Sequence, residues 1–241
     1  MRLRALLAVA VAIVATLTVA YADDAFQVKP ANFDPAHTFL VQSTWLSGTG
    51  CPTGAKTFDG TSNGSFTDPA CLTGDKSDKQ NQGLLLVKTG PTGNFAAATA
   101  TLSDTPSTVT ELGYDLRKST AANTPMGSHC GAGAPRFNIH SKDGQTYFLG
   151  CNSPAGVLQA TSQAWIRLRW GVGVPLLAFN SQTNALVDIA TVNVKSISIV
   201  FDEGTDTGPD FFGAAILDNI DVNGTLVGQG PGNKGDSEKG D

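Results

Sequence analysis

After residue 22 the sequence has no long apolar run and little positive charge, and each absence argues against a class of protein. A membrane-spanning helix needs roughly 18 consecutive apolar residues, and no later stretch approaches that length. Without residues 1–22 two of the 16 basic residues are lost, so 14 basic residues face 21 acidic ones, a net charge of −7. Because an acidic surface repels phosphate backbones, we expect no nucleic-acid partner. The lack of a long apolar run predicts no membrane span in the mature chain.

Motifs of several enzyme classes are missing as well. The sequence contains neither the G-x-S-x-G elbow of hydrolases nor the H-E-x-x-H motif of metalloproteases, and its three histidines are scattered without a ligand spacing. Asp202 and Glu203 are adjacent, so their side chains diverge on an extended chain. Paired glycosidase carboxylates instead face each other across roughly 5–10 Å. The sequence therefore favours a non-enzymatic function and leaves catalysis open.

The N-terminus has the layout of a secretory signal peptide. Two arginines precede an almost wholly apolar segment, and an A-x-A cleavage site ends at Ala22. We expect a signal peptide over residues 1–22, a single β-sandwich domain over 23–227, and a secreted, extracellular protein. Residues 228–241 are polar with nothing to bury, so we expect a disordered tail there.

Four cysteines remain in the mature chain, and none has the C-x-x-C spacing of zinc sites. In an exported chain an even number of cysteines indicates disulfides, here two bridges with three possible pairings. Pairing by neighbourhood, Cys51 with Cys71 and Cys130 with Cys151, is the simplest. The first bridge would staple residues 47–83, a segment rich in Gly, Ser, Thr and Asp that we expect to form a long loop.

Short apolar runs are separated by turn-forming residues throughout the chain. The sequence has 27 glycines and 12 prolines, and helix signals are nearly absent. This pattern predicts an all-β sandwich. The strands are predicted at His37–Leu46, Leu84–Lys88, Phe95–Leu102, Thr108–Arg117, Arg136–Ser141, Gln145–Gly150, Ala164–Trp170, Val194–Phe201 and Phe212–Val222.

The clearest local unit is "PRFNIHSKDGQTYFLGC", in which an Asp-Gly pair at 143–144 separates two alternating runs. Such a pair predicts a hairpin with a two-residue turn. In that register His140 faces Tyr147 across the two strands. The side chains of Arg136, Asn138, His140 and Tyr147 then share one face of the sheet, opposite the apolar core face.

The same alternation points further polar side chains away from the core. In "TELGYDLRK" and "AWIRLRW" the apolar residues alternate with Asp115, Arg117, Trp165, Arg167 and Arg169. If these strands are neighbours, one face gathers four arginines beside aromatic rings, which suits an anionic or hydroxyl-rich ligand. The alternative is a solvated sheet face on which Asp115 bridges an arginine. The predicted ligand-binding set is Arg136, Asn138, His140, Tyr147, Trp165, Arg167, Arg169 and Asp115.

Five aspartates and one glutamate crowd residues 201–224. Asp218 stands near the end of an apolar strand, where an unpaired buried charge is costly. Calcium accepts carboxylate and carbonyl oxygens in flexible geometry, so we predict a structural calcium with Asp218 and Asp202 as candidate ligands. The loop lacks the D-x-[DN]-x-[DN]-G calcium pattern, and the alternative is that Asp218 points outward or accepts hydrogen bonds from backbone amides.

The closing segment "AAILDNIDVNG" resembles the last strand of bacterial jelly-roll modules of the carbohydrate-binding type, which often end in an apolar-Asp-Asn/Asp-apolar pattern. The resemblance implies a jelly-roll-like sandwich that binds a polysaccharide or cell-surface glycan. In several such families the aspartate of this pattern helps to hold a structural calcium at the sandwich edge. The matching residue here is Asp218, with Asn219 beside it.

Three functions follow from these patterns. The preferred one is non-catalytic binding of an extracellular glycan through the Arg, Trp and Tyr side chains of the polar face. The second is an exported structural or surface protein with no small ligand. The third is a polysaccharide lyase in which His140 or Tyr147 acts as the base and Arg136 neutralises a uronate carboxylate.

Overall fold

A computed structural model describes residues 26–58, 60–118, 130, 133–208 and 211–231. The predicted signal peptide and most of the predicted tail lie outside the described residues. Within the described ranges, no helix is both long enough and apolar enough to pass through a bilayer. The strands, numbered in chain order, are β1 (Gln27–Phe33), β2 (Val41–Leu46), β3 (Thr53–Phe58), β4 (Asn63–Thr67), β5 (Gly83–Lys88), β6 (Ala97–Ser103), β7 (Leu112–Arg117), β8 (Arg136–Ser141), β9 (Thr146–Gly150), β10 (Val157–Thr161), β11 (Ile166–Trp170), β12 (Leu177–Asn180), β13 (Leu186–Asp188), β14 (Val194–Phe201), β15 (Ala214–Val222) and β16 (Thr225–Val227).

Two antiparallel sheets face each other and enclose the core. The first sheet has the strand order β1-β6-β14-β8-β9-β12-β13, and the second has β10-β11-β7-β15-β5-β2 with β16 beside β15. The chain changes sheet at each step from β5 to β8, and β14 and β15 later insert between those strands. This alternation is jelly-roll-like, so the predicted all-β sandwich with jelly-roll-like topology is confirmed.

Every predicted strand is present, but six of them begin one to four residues later than predicted. The predicted starts at His37 and Phe95 are wrong because residues there adopt left-handed backbone angles, with φ of 53° at His37, 58° at Phe39 and 55° at Phe95, which a strand does not accommodate. The start predicted at Thr108 is wrong because Asn223 accepts the Thr110 N–H in a loop, at 2.8 Å.

The core lies between the two sheets and follows the predicted alternation. The apolar side chains predicted to point inward from β7 and β11 are all buried. Tyr114, Phe137 and Trp170 join the sheets through ring contacts, with centroids 5.4 Å apart for Tyr114 and Phe137 and 5.3 Å for Tyr114 and Trp170. The buried Tyr114 hydroxyl donates to the Pro135 carbonyl at 2.8 Å, so its polar end is satisfied.

Both predicted disulfides are confirmed, Cys51 with Cys71 and Cys130 with Cys151. The segment 47–83 folds over the outer face of the second sheet, and we call it the cover segment. It carries the β3–β4 hairpin, which the prediction of a long loop missed.

The β8–β9 hairpin has a different register from the predicted one. Ile139, not His140, pairs with Tyr147, because the Gly144 N–H bonds to the Ser141 carbonyl and the turn contains three residues. A shift of one residue exchanges the two faces of a strand. Tyr147 therefore enters the core, where it is 6% exposed, and Phe148 takes the outer face.

Candidate functional site: a groove on the first sheet

The predicted polar face is divided between the two sheets. Arg136, Asn138 and His140 lie on the outer face of β8 in the first sheet, whereas the polar residues of β7 and β11 lie in the second. The prediction of one shared face is wrong because β8 pairs with β14 and β9, while β7 pairs with β11 and β15. The residues separated from β8 in this way are Asp115, Trp165, Arg167 and Arg169.

On the second sheet, these charged residues are buried, and Arg167 reaches the cover segment. Arg167 donates from Nε and Nη2 to the two oxygens of Asp115, each at 2.7 Å. It also donates to the hydroxyl and carbonyl oxygens of Thr73 in the cover segment. Arg169 pairs with Asp221 at 2.9 Å. Because all these charged side chains are at most 3% exposed, they are closed to a ligand. The bonds from Arg167 to Thr73 hold the cover segment in place.

Trp165 is also closed to a ligand. Its side chain is 2% exposed and packs with Ala70 and the Cys51–Cys71 disulfide in a small cluster of its own. The ring predicted to stack on a ligand therefore packs in the same cluster as the disulfide of the cover segment.

Asp218 and Asp202, the predicted calcium ligands, have different partners. Asp218 is buried and accepts the Cys51 N–H at 2.7 Å and the N–H of its neighbour Asn219, one of the alternatives left open by the sequence. Asp202 accepts from Arg136 at 2.7 Å. Among the described residues, the one group of three His, Cys, Asp or Glu side chains close enough to share an ion contains both cysteines of the first disulfide. Because Cys51 and Cys71 are joined in a disulfide, this group is not a calcium site, and calcium at Asp218 and Asp202 stays a prediction.

A groove of about 720 Å³ runs over the outer face of the first sheet. Its floor consists of alternate residues of β6, β14 and β8. The register sets Ser198 between Thr101 and Asn138, and Val200 between Thr99 and Arg136. Hydroxyl, amide and guanidinium groups thus lie side by side on a rigid sheet. The remaining lining residues are Asn32, Phe33, Lys88, Thr92, Phe95, Ala96, Ala97 and Asp202.

Arg136 is held firmly within this groove. Its Nη1 donates to Asp202 at 2.7 Å, its Nε donates to Asn138 at 3.1 Å, and its guanidinium lies 5.7 Å from the centre of the Phe148 ring. Burial raises the pKa of Asp202, but the Arg136 hydrogen bond and charge outweigh this and bring the pKa below its usual value. The pair is therefore ionised and pre-oriented, and its charges cancel.

Lys88 lies beneath the groove as a buried cation. Its Nζ donates to the carbonyl oxygens of Thr92 at 2.9 Å and Ala96 at 2.6 Å. Burial lowers the pKa of Lys88, while the carboxylates of Asp202 and Asp206 oppose the shift. Because its ammonium bonds the backbone of the β5–β6 connection, Lys88 shapes the groove wall.

Aromatic rings flank the polar floor on both sides. Phe33 and Phe95, which are 57% and 85% exposed, line one side of the groove. Half-buried Phe148 and Phe179 pair across β9 and β12 on the other side of β8. Exposed rings beside fixed hydrogen-bonding groups are suited to the apolar and hydroxyl faces of a sugar.

The sequence prediction found Arg136 and Asn138 but missed their neighbours. The signal was present in "AATATLS" and "VKSISIVF", where Thr99, Thr101, Ser196 and Ser198 alternate with core residues. His140 is half-buried beside Ser196, with its Nδ1 3.0 Å from the Thr146 hydroxyl, and it is not among the groove-lining residues.

Comparisons with known proteins give two similar solved structures. No protein-family model matches the sequence, and no curated protein matches it. The family 11 carbohydrate-binding module of the cellulosomal cellulase Lic26A-Cel5E of Clostridium thermocellum is 10% identical with a TM-score of 0.36, covering 83% of this chain and 88% of that one. A family 11 module from the same organism, in complex with a β-1,3-1,4-mixed-linked tetrasaccharide, is 15% identical with a TM-score of 0.33, covering 84% and 98%.

Proposed function

We propose that the protein is a secreted, non-catalytic module that binds a neutral, hydroxyl-rich glycan in the groove of the first sheet. The observation that carries the proposal is the row of Thr99, Thr101, Ser198 and Asn138 beside the exposed ring of Phe95. Such a floor offers many hydrogen-bond partners, and the ring offers stacking area to the face of a sugar.

The charges of the groove favour a neutral ligand over an anionic one. Arg136 is neutralised by Asp202, and Lys88 has its ammonium turned into backbone carbonyls. Of the other arginines of the predicted face, Arg167 and Arg169 are buried, and Arg117 lies on the second sheet. An anionic polymer would therefore find no free cation among the described lining residues, so polyuronates should bind more weakly than neutral polymers.

The alternative of a lyase loses one of its two predicted bases, Tyr147, and keeps His140 on the same face as Arg136. Tyr147 points into the core, on the opposite side of the sheet from His140 and Arg136. A base and a neutralising cation must reach the same substrate carbon and carboxylate, and Tyr147 has no access to the groove.

Retention on polysaccharides, with ultraviolet absorbance followed in the same wells, tests the proposal. We expect residues 23–241 to be retained by at least one of hydroxyethyl cellulose, xylan and galactomannan without new absorbance. Polygalacturonate should retain the protein less and show no new absorbance. A rise in absorbance on polygalacturonate would instead show a lyase. Neither retention nor new absorbance on any polymer would favour a structural protein.

The matched pair Phe95→Ala and Phe58→Ala localises the binding. Phe58 is 70% exposed but lies on the β3–β4 hairpin, away from the groove. We expect Phe95→Ala to weaken retention by about tenfold and Phe58→Ala to leave it unchanged. Equal retention of both variants would place the binding surface elsewhere.

Calcium stays a separate prediction, and the melting temperature tests it. An ion that binds only the folded state stabilises it by RT ln(1 + c/Kd), where c is the free ion concentration, so EDTA should lower the melting temperature and added calcium should restore it. An unchanged melting temperature would mean that backbone N–H groups, and not a calcium ion, satisfy Asp218.

A further inference from the structure

Three connecting loops meet at one end of the sandwich, and we call this surface the loop end. They join β1 to β2, β5 to β6 and β14 to β15. Backbone hydrogen bonds connect them: Thr89 N–H to the Leu40 carbonyl at 2.8 Å, and Thr205 N–H to the Gly90 carbonyl at 3.2 Å. Asp206 also accepts the Thr92 N–H at 2.7 Å. The three loops therefore form one connected surface.

Each loop presents one phenylalanine in the same unusual backbone conformation. Phe39, Phe95 and Phe211 have φ of 58°, 55° and 51°. Left-handed angles are disfavoured for a bulky residue, and such strain concentrates where function requires it. The residues gain little burial in return, since they are 87%, 85% and 62% exposed. The fold thus holds three aromatic rings in solvent at a cost in stability.

Two carboxylates among the described residues of these loops accept hydrogen bonds from the protein itself. Asp34 accepts the N–H groups of Thr38 at 2.9 Å and Phe39 at 2.7 Å. Asp206 accepts both the N–H and the hydroxyl of Thr92. Because these oxygens already accept hydrogen bonds within the protein, the exposed phenylalanine rings are the apolar groups that these loops offer to a ligand.

Resting on the function proposed for the groove, we infer that the loop end is its continuation and binds the same glycan polymer where the chain leaves the groove. Phe95 belongs to both surfaces, since it lines the groove and stands on the loop end. A chain lying along the polar floor passes over Phe95 toward the rings of Phe39 and Phe211. The ligand class is therefore an extended polysaccharide, and a short oligosaccharide fills the groove alone.

A zwitterionic lipid surface is the other partner that exposed phenylalanines suit. Membrane-binding surfaces usually add lysine or arginine to their apolar groups, and the three loops contain no arginine and no lysine after Lys88. Continuity with a hydroxyl-lined groove also favours the glycan.

Glycan ligands of different length distinguish binding at the loop end from binding in the groove. Residues 23–241 would be titrated with cellotetraose and hydroxyethyl cellulose, and with xylotetraose and xylan. The variants are Phe39→Ala/Phe211→Ala for the loop end, Asn138→Ala for the groove, and Phe58→Ala/Phe66→Ala as exposed-ring controls on the β3–β4 hairpin. The loop-end variant should bind polymer about tenfold more weakly and bind the tetrasaccharide normally.

The other outcomes overturn the inference in distinguishable ways. If the loop-end variant binds polymer as the wild type does while Asn138→Ala binds neither ligand, the groove function stands and the loop end has no part in it. If the wild type binds no polymer and no tetrasaccharide, both proposals fail. If the wild type sediments with phosphatidylcholine vesicles, the loop-end variant does not, and polymer binding is equal in both, the surface binds lipid instead.

Discussion

Arg167 donates two hydrogen bonds to Asp115, from Nε to Oδ1 and from Nη2 to Oδ2, each at 2.7 Å, beneath the segment that the first disulfide closes. The bonds join adjacent strands of the second sheet, and both side chains are almost fully buried. A buried, bidentate pair of this kind is costly to break at one end only. It fixes the cover segment and has no access to a ligand.

Loss of one partner of this pair should destabilise the protein strongly. We expect Arg167→Met to lower the free energy of unfolding by about 3–5 kcal/mol, because Asp115 is left buried and charged. Arg136→Met, which breaks the partly exposed pair with Asp202, should cost about 1 kcal/mol or less. Urea unfolding followed by circular dichroism measures both losses. Similar losses for the two variants would contradict a structural role for the buried Arg167–Asp115 pair.

The first disulfide should stabilise both the domain and the environment of Trp165. The bridge closes a loop of 20 residues, so Cys51→Ala/Cys71→Ala should cost about 3 kcal/mol. Trp165 packs against this bridge, and its fluorescence should shift to longer wavelength as the ring gains solvent. A destabilised variant with unchanged emission would mean that the cover segment stays closed without its bridge.

Glu111 should make stability fall as the pH rises. Burial raises its pKa, and the charge and hydrogen bond of Asp221 raise it further. The unfolded chain releases this proton near pH ~4.3, whereas the folded protein keeps it to higher pH, so the folded state binds more protons in that window.

Urea unfolding of the wild type and of Glu111→Gln across this pH range measures the effect. The difference in unfolding free energy, wild type minus variant, should decrease as the pH rises from about 4 toward neutrality. A difference that increases with pH would show that the pKa of Glu111 is lowered instead.

Because of backbone strain at the loop end, a glycine variant there should be more stable than the alanine variant, the reverse of the order at an ordinary strand position. At Phe39, where φ is 58°, Phe39→Gly should be about 1 kcal/mol more stable than Phe39→Ala, because glycine adopts this conformation freely. At Phe66, an exposed strand residue in β4, the glycine variant should be the less stable one. Thermal melts of the four variants test this, and the same order at both positions would argue against strain.

The strands and disulfides could be predicted because their signals are local. Alternating residues bounded by glycine and proline identify the nine strands that were predicted, and an exported chain with four cysteines has few pairings to choose from. The edge strand β1 was missed because it contains Pro30, which interrupts the pattern and is tolerated at a sheet edge.

The polar face could not be predicted because it depends on contacts that are distant in sequence. Nothing in "AWIRLRW" shows that the cover segment, about 90 residues earlier, will bury Arg167 against Thr73. The hairpin register depended on one residue, since Ser141 Oγ accepts the Gln145 N–H and closes a longer turn. That difference alone moved Tyr147 from the predicted binding face to the core.

Affinity electrophoresis in gels that contain a neutral polysaccharide tests the central claim most directly. Asn138 lies on the groove floor, and Asn63 is an exposed asparagine of the β3–β4 hairpin. The account predicts that hydroxyethyl cellulose, xylan or galactomannan retards the wild type and Asn63→Ala equally and no longer retards Asn138→Ala. Equal retardation of all three proteins, or none in any gel, would contradict glycan binding in the groove of the first sheet.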